Sequence, residues 1–492
     1  MMRPRIVRLR APNYTKPSSI RPRRAYSRPP FAPRPTLDLR HIRQNPGLYE
    51  QNCIDRNYPS SAQNGWKILT LHEQLVAQQR DAVEIRRRNN EIGRLMKGGE
   101  GKEWIDEARE LKTKLADFER RERAIEAEIE GLAIELPNLS SLETPVGGAP
   151  DVIGYINSDG PVDSATRSHA KSHVDIGRDL DLLDFESSAT TSGWGWYFLK
   201  NEGALLEQAL IQYALSVAID KGWKVMTPPS LVYAHIANAC GFLPRDQNGE
   251  TQVYDIAQDV AGKEDKAGLV LAGTAEIPFA GSKAGKTLLA KDLPLKIIGP
   301  SRCYRAEAGA RGVETKGLYR VHEFTKVEMF AWTAPPHSTI RESDLDTGNF
   351  ATSIDDDVDP STAVLDELIS IQTTILTALN LPCRILEQPT TDLGASATRK
   401  IDIEAFFPSR TGIDGGYGEV TSASICTDYQ SRRLGTKVGK QGFAHTVNGT
   451  AVAVPRVLAA ILENGWDGEG VVVPEVLRKW MPGGLSRILQ SV

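Results

Sequence analysis

A chain of 492 residues, 40% hydrophobic and 25% charged, is long enough for two or three globular domains with separate cores. Its formal net charge of −4 argues for no polyanionic partner, and no run of about 18 apolar residues reads as a membrane span. Five scattered cysteines (Cys53, Cys240, Cys303, Cys383, Cys426) exclude a C-x-x-C zinc knuckle and disfavour a disulfide framework, so a reducing compartment is expected.

The net charge hides an asymmetry. Residues 1–37 carry nine Arg, one Lys and no acid, with Ser, Thr and Tyr between them. That composition is expected of a mitochondrial targeting segment, about residues 1–36, and points to the matrix, with the cytoplasm as the alternative. Arg24-Ala25-Tyr26-Ser27 resembles a matrix-protease site. A basic arm touching nucleic acid is the competing reading. Removing residues 1–26, with their eight positive charges, would take the chain from −4 to −12, so any nucleic-acid contact must come from local patches.

Residues 37–137 are expected to form a helical arm. Leu71, Leu75, Gln78, Ala82, Ile85, Asn89, Ile92 and Met96 alternate steps of four and three. Ala108, Leu111, Leu115, Phe118, Glu122, Ile125, Ile129, Leu132 and Leu136 do the same. Heptad spacing puts one narrow apolar seam on each helix, 66–97 and 102–136. The Gly98-Gly99-Glu100-Gly101 turn makes them antiparallel, and about 32 residues at 1.5 Å each give an arm of about 48 Å. A dimerisation coiled coil fits the periodicity equally well. Arg80, Arg86, Arg87, Arg88 and Arg94 form a positive stretch suited to phosphate.

Residues 138–192 read as a loop-rich linker, and mixed strands and helices follow over 193–492. Trp194–Leu199 is expected as a strand, 203–221 as a helix burying Leu206, Leu210, Tyr213 and Val217, and 222–229 as a strand stopped by Pro228-Pro229. The acidic stretch 332–361 is expected to be a surface insertion. Ala280–Thr287 matches a relaxed phosphate-loop pattern, but Pro278 and Pro294 leave no room for the long helix such a loop feeds.

Residues 302–307 and 317–328 read as an antiparallel hairpin bearing fixed cations and carboxylates. The string CYRAEAGARGVETKGLYRVHEFTKVEMF resembles motif 2 of class II aminoacyl-tRNA synthetases in the seryl form. The resemblance extends to the arm, to LAGTAEIP (271–278), to YGEVTSASICTDYQSRR (417–433) and to HTVNGTAVAVPRVLAAILE (445–463). It implies an α+β fold, a coiled-coil arm followed by an antiparallel-sheet catalytic domain. The implied activity is ligation of L-serine to tRNA(Ser) through seryl-adenylate, with ATP as co-substrate and Mg²⁺ as cofactor. It also implies a homodimer, with 203–229 as its motif 1.

The family likeness carries roles for individual residues. Activation joins two anions, so guanidinium groups and a hard cation must neutralise charge. Arg305 and Arg456 are the implied catalytic pair, on the α- and γ-phosphates. Ala306, Glu307, Val321, Phe324, Glu419, Val420, Thr421 and Ser422 would complete the ATP site, with Glu307 on the adenine edge and Phe324 on its face. Glu419 and Ser422 would hold Mg²⁺. Thr274, Ala275, Glu276, Glu328, Asn448 and Thr450, with Arg305, would bind serine, whose hydroxyl a polar pocket separates well from alanine. The arm arginines would bind tRNA.

The sequence departs from the family pattern at Glu323, Ile425 and Pro455, where Gln, Asn and Gly are usual. A synthetase-like protein that binds tRNA or a partner without making adenylate is the alternative, and retention of Arg305, Glu307 and Arg456 disfavours it. Threonyl or prolyl relatives would carry a C-terminal anticodon-binding domain, and only about 30 residues follow HTVNGTAVAVPRVLAAILE here.

Overall fold

The computed structural model describes residues 29, 31–97, 104–163, 171–242, 253–257, 267–306, 317–336 and 359–490. Residues 1–28 of the targeting segment, the Gly98–Gly101 turn, Glu307 and the middle of the acidic stretch lie outside them.

The N-terminal part holds helices α1 (Leu39–Gln44), α2 (Pro46–Asp55), α3 (Asn64–Lys97) and α4 (Ile105–Ile134). Asp38 caps α1 by accepting from the His41 amide, and Pro46 starts α2 where no donor is lost. The seam is as the heptads require: Leu75, Ala82 and Ile92 of α3 and Leu111 and Ile129 of α4 are buried. Met96, near the end of α3, is exposed. At the base, Ile42, Cys53, Ile68 and Leu136 join a separate small core.

The body is built on eight strands: β1 (Asp151–Ile156), β2 (Lys224–Val225), β3 (Leu295–Tyr304), β4 (Glu323–Thr333), β5 (Cys383–Glu387), β6 (Arg399–Phe406), β7 (Tyr417–Thr427) and β8 (His445–Ala453). Their order is β1-β5-β6-β7-β8-β4-β3-β2, antiparallel except for the β2–β3 pair. Helices α5 (His173–Asp179), α6 (Asn201–Asp220), α7 (Glu276–Gly281), α8 (Pro360–Ala378), α9 (Tyr429–Leu434) and α10 (Val454–Gly465) complete the frame used below. Alternation along β4 decides what faces where. Val327, Met329 and Ala331 join the core formed with Leu206, Leu368 and Leu458 of α6, α8 and α10. Phe324, Lys326 and Glu328 are therefore left to the opposite face. Each large aliphatic side chain buried in that core contributes about 1.5–3 kcal/mol.

Several expectations need correcting. Residues 138–192 are more than a linker, because β1 forms the edge of the main sheet, paired with β5. Of Trp194–Leu199 only Phe198–Leu199 is a strand, paired with Leu183–Asp184. Gly195 turns the chain with a φ of 81° over the His322 ring, which a Cβ would meet at 2.4 Å. The strand at 222–229 shortens to Lys224–Val225. The acidic stretch gives up both ends: Trp332 and Thr333 complete β4, and Asp359 caps α8, which begins at Pro360. The phosphate-loop match runs from α7 to a two-residue strand, Thr287–Leu288, opposite to the strand-to-helix order such a loop needs.

The arm is fastened to the body by buried polar groups. Arg56 donates to the carbonyls of Asn138 and Gly394, and Asn138 donates to the Ser396 and Cys426 carbonyls at 2.9 Å each. From the other side, Arg433 of α9 donates to the carbonyls of Ile134 and Leu136, each at 3.4 Å.

Candidate active site

The polar face of the sheet opens into a cleft lined by Arg305, Val321, Phe324, Glu419, Val420, Thr421, Ser422, Thr450 and Arg456, all singled out by the sequence. Arg305 follows the end of β3, its amide donating to the His322 carbonyl at 2.9 Å. Its guanidinium lies 5.2 Å from the centre of the Phe324 ring. Ala306 comes next in the chain and does not line the cleft.

Arg456 enters from the first turn of α10. Pro455 sits at the start of that helix, where proline costs no hydrogen bond, so this departure from the family pattern is accommodated. Glu323 lies 3.8 Å from Arg302, and Ile425 is buried opposite Val447 on the neighbouring strand. Arg456 donates from Nη1 to the Glu419 carboxylate at 3.0 Å and from Nε to the Tyr319 carbonyl at 3.0 Å. Burial alone would push the Glu419 carboxyl up, but Arg456, Lys400 and Arg305 overcome it and hold the group well below the usual range.

Beside the cleft is a buried cluster. Thr274, Ala275, Glu276, Glu328 and Thr450 are all buried, and Glu328 stands directly opposite Thr450 across β4 and β8. Lys326, which also lines the cleft, pairs with Glu328. Burial, aided by the Glu328 charge, pushes the Glu276 carboxyl up to about 8 against Lys326 and Gln430. Glu276 accepts from Gln430 Nε2 at 2.5 Å and from Asn448 Nδ2 at 3.1 Å. The result is a buried cluster of fixed donors and acceptors beside a cationic cleft, an arrangement suited to a short polar molecule next to a phosphate chain.

Lys326, Tyr319 and Gln430 are site residues that sequence reasoning missed. Lys326 alternates with Phe324 and Glu328 on a strand whose polar face was already marked, so the period-2 pattern could have found it. Nothing local signals Gln430, whose partner is 154 residues away.

Glu419 and Ser422 supply oxygen donors to the cleft, and Asp402, opposite Ser422, has a buried Oδ1 with no hydrogen-bond partner. No cluster of three His, Cys, Asp or Glu able to cage a metal occurs among the described residues. Two oxygen donors beside a cationic cleft nevertheless suit Mg²⁺, which takes waters and phosphates as its remaining ligands.

On the arm, Arg86 and Arg88 are held by the opposite helix, Arg86 by Glu122 at 3.0 Å and Arg88 by Glu107 at 2.7 Å. Arg80, Arg87 and Arg94 are exposed.

Comparison with known proteins gives the same outline. The seryl-tRNA synthetase N-terminal domain matches residues 36–140, and the class II tRNA synthetase core domain (G, H, P, S and T) matches 260–465. The mitochondrial serine–tRNA ligase of Saccharomyces cerevisiae is 41% identical over 382 residues, 76% of this chain and 77% of its own. The serine–tRNA ligase of Rhodopirellula baltica is 36% identical over 90% of this chain and 98% of its own. Among solved structures, seryl-tRNA synthetase from Pyrococcus horikoshii complexed with ATP superposes with a TM-score of 0.77 at 30% identity, covering 93% of this chain and all of its own.

Proposed function

The chain belongs to the seryl-tRNA synthetase family and is a serine–tRNA ligase, and from that premise we propose how its residues divide the work. The serine carboxylate attacks the α-phosphorus of ATP, the bond to the bridging oxygen breaks, and pyrophosphate leaves. Arg305 neutralises charge at the α-phosphate and Arg456 at the γ-phosphate. Phe324 gives the adenine a face to stack on. Pairing with Glu419 and Tyr319 holds the Arg456 guanidinium in place before substrate arrives, so little reorganisation is needed as charge develops. Glu419 and Ser422 would hold Mg²⁺, which supplies charge neutralisation on the phosphates.

The buried cluster selects serine. Thr274, Glu276, Glu328, Asn448 and Thr450 offer partners to its ammonium and hydroxyl, and an analogue lacking the hydroxyl leaves some of them unpaired. The arm binds tRNA(Ser), two subunits form a homodimer, and the enzyme works in the mitochondrial matrix. The Arg-rich, acid-free start and the mitochondrial relatives in S. cerevisiae, Schizosaccharomyces pombe and mouse support that location.

The observation that carries this reading is the junction of the cationic cleft with the buried carboxyl cluster through Lys326 and Thr450. ATP–pyrophosphate exchange tests it. Serine should support exchange, with threonine and alanine far weaker; equal exchange with threonine, or none with any amino acid, would overturn it.

A further inference from the structure

Behind the cleft, a chain of buried polar contacts ends on Arg456. The His173 side chain is 5% exposed and that of Glu463 is fully buried. Nδ1 of His173 lies 2.7 Å from Glu463 Oε1, and Nε2 accepts from the Leu318 amide at 3.1 Å. An Nε2 that accepts carries no proton, so the ring must donate from Nδ1. Glu463 is otherwise satisfied: Oε1 accepts from the His173 amide at 3.1 Å and the Ser409 hydroxyl at 2.9 Å, and Oε2 accepts from the Ser409 amide at 3.0 Å. The ring can neither flip nor change tautomer without stranding a buried group.

The ring fixes a particular stretch of backbone. Gly317 crosses it with a φ of 73°, and a Cβ there would sit 2.3 Å from Nε2. Leu318 donates to the ring, and the next residue, Tyr319, presents its carbonyl to Arg456 Nε. Tyr319 also places its ring 5.1 Å from the Arg456 guanidinium. Arg456 and Glu463 lie on one face of α10, seven residues apart, close to two turns. The helix and the 3-10 turn Gly317–Tyr319 that leads into β4 are thus latched twice, directly through Arg456 and indirectly through Glu463 and His173.

We propose that His173 is a positioning residue for the ATP site: oriented by Glu463, its ring fixes Gly317–Tyr319 and so aims the Arg456 guanidinium. The proposal rests on Arg456 contacting the nucleotide, as argued above. His173 has no such link to Glu276 or Glu328, so its loss should separate the two substrates.

Pyrophosphate exchange on the full chain, with KM measured for ATP and for serine, tests this. His173→Asn keeps a donor for Glu463 but offers Leu318 no acceptor, while His173→Gln reaches Leu318 and abandons Glu463. Gly317→Ala disturbs the same backbone without touching Glu463. His173→Asn and Gly317→Ala should each raise the KM for ATP about ten- to a hundredfold with the serine KM unchanged. His173→Gln should recover part of the loss. A purely structural role would lower the thermal midpoint and leave both KM values alone in the folded fraction, and that result overturns the proposal. So does an equal rise in both. Arg456→Ala separates the premise: if it leaves exchange intact the reading of Arg456 is wrong, whereas if it abolishes exchange and His173→Asn behaves as wild type, only the positioning role is wrong.

Discussion

Asn448 donates its side-chain amide to the buried Glu276 carboxyl at 3.1 Å, joining two residues 172 positions apart. Burial and the neighbouring Glu328 raise the Glu276 carboxyl from 4.5 to about 8. Between those values the folded protein holds a proton that the unfolded chain has released, so folding stability falls as pH rises. The contribution is complete below about pH 4.5 and lost above about pH 8. Glu276→Gln should flatten this part of the stability–pH curve, measured as thermal midpoint from pH 5 to 8. Identical slopes in both proteins would contradict the assignment.

Arg305→Ala and Arg456→Ala should each lower the rate of serine activation about 10²–10³-fold, the usual worth of an oriented donor, with far-UV circular dichroism unchanged. Arg456→Lys should rescue little, because one ammonium cannot reproduce the planar fork shared between Glu419 and Tyr319. Near-normal exchange in either alanine variant would mean the nucleotide lies elsewhere.

The arm and the body should separate in function. Deleting about residues 82–121 shortens the hairpin within its own seam, so pyrophosphate exchange should stay near normal while tRNA charging falls. Single reversals at Arg80, Arg87 or Arg94 should weaken tRNA binding and flatten its salt dependence by about 0.7–0.9 in log–log slope per contact. Arg86→Glu should instead cost arm stability, since that side chain pairs with Glu122. If the deletion collapses exchange together with dimer mass, the arm is an assembly element.

Light scattering at micromolar concentration should give a dimer. Helix α6 buries Leu206, Leu210 and Tyr213 inward yet exposes Leu205 and Ile219, and nearby Val225 and Met226 are exposed as well. Leu205→Glu with Val225→Glu should shift the mass toward monomer; unchanged mass would place the interface on another surface.

The sequence disclosed most where structure is local. The arm was legible because Leu75, Ala82, Ile92, Leu111 and Ile129 repeat at a period that only a helix pair can bury. Arg305, Phe324, Glu419 and Arg456 were legible through family resemblance, and the sheet does gather them in one cleft. What escaped was pairing between distant segments. Asp151–Ile156 looked like linker because its partner strand lies more than 220 residues on, and nothing local marks an edge strand. Arg86 and Arg88 looked available for phosphate because a linear reading cannot see the carboxylates that antiparallel packing sets across from them.

The six residues of α9 have two employers. Gln430 reaches forward to the carboxyl of Glu276, and Arg433, one turn on, grips the carbonyls where α4 gives out. A swing of the arm about its base must tear both Arg433 bonds or drag this short helix along, and with it one partner of the cluster proposed for serine. The longest lever among the described residues is bolted to the cluster proposed to weigh the smallest substrate.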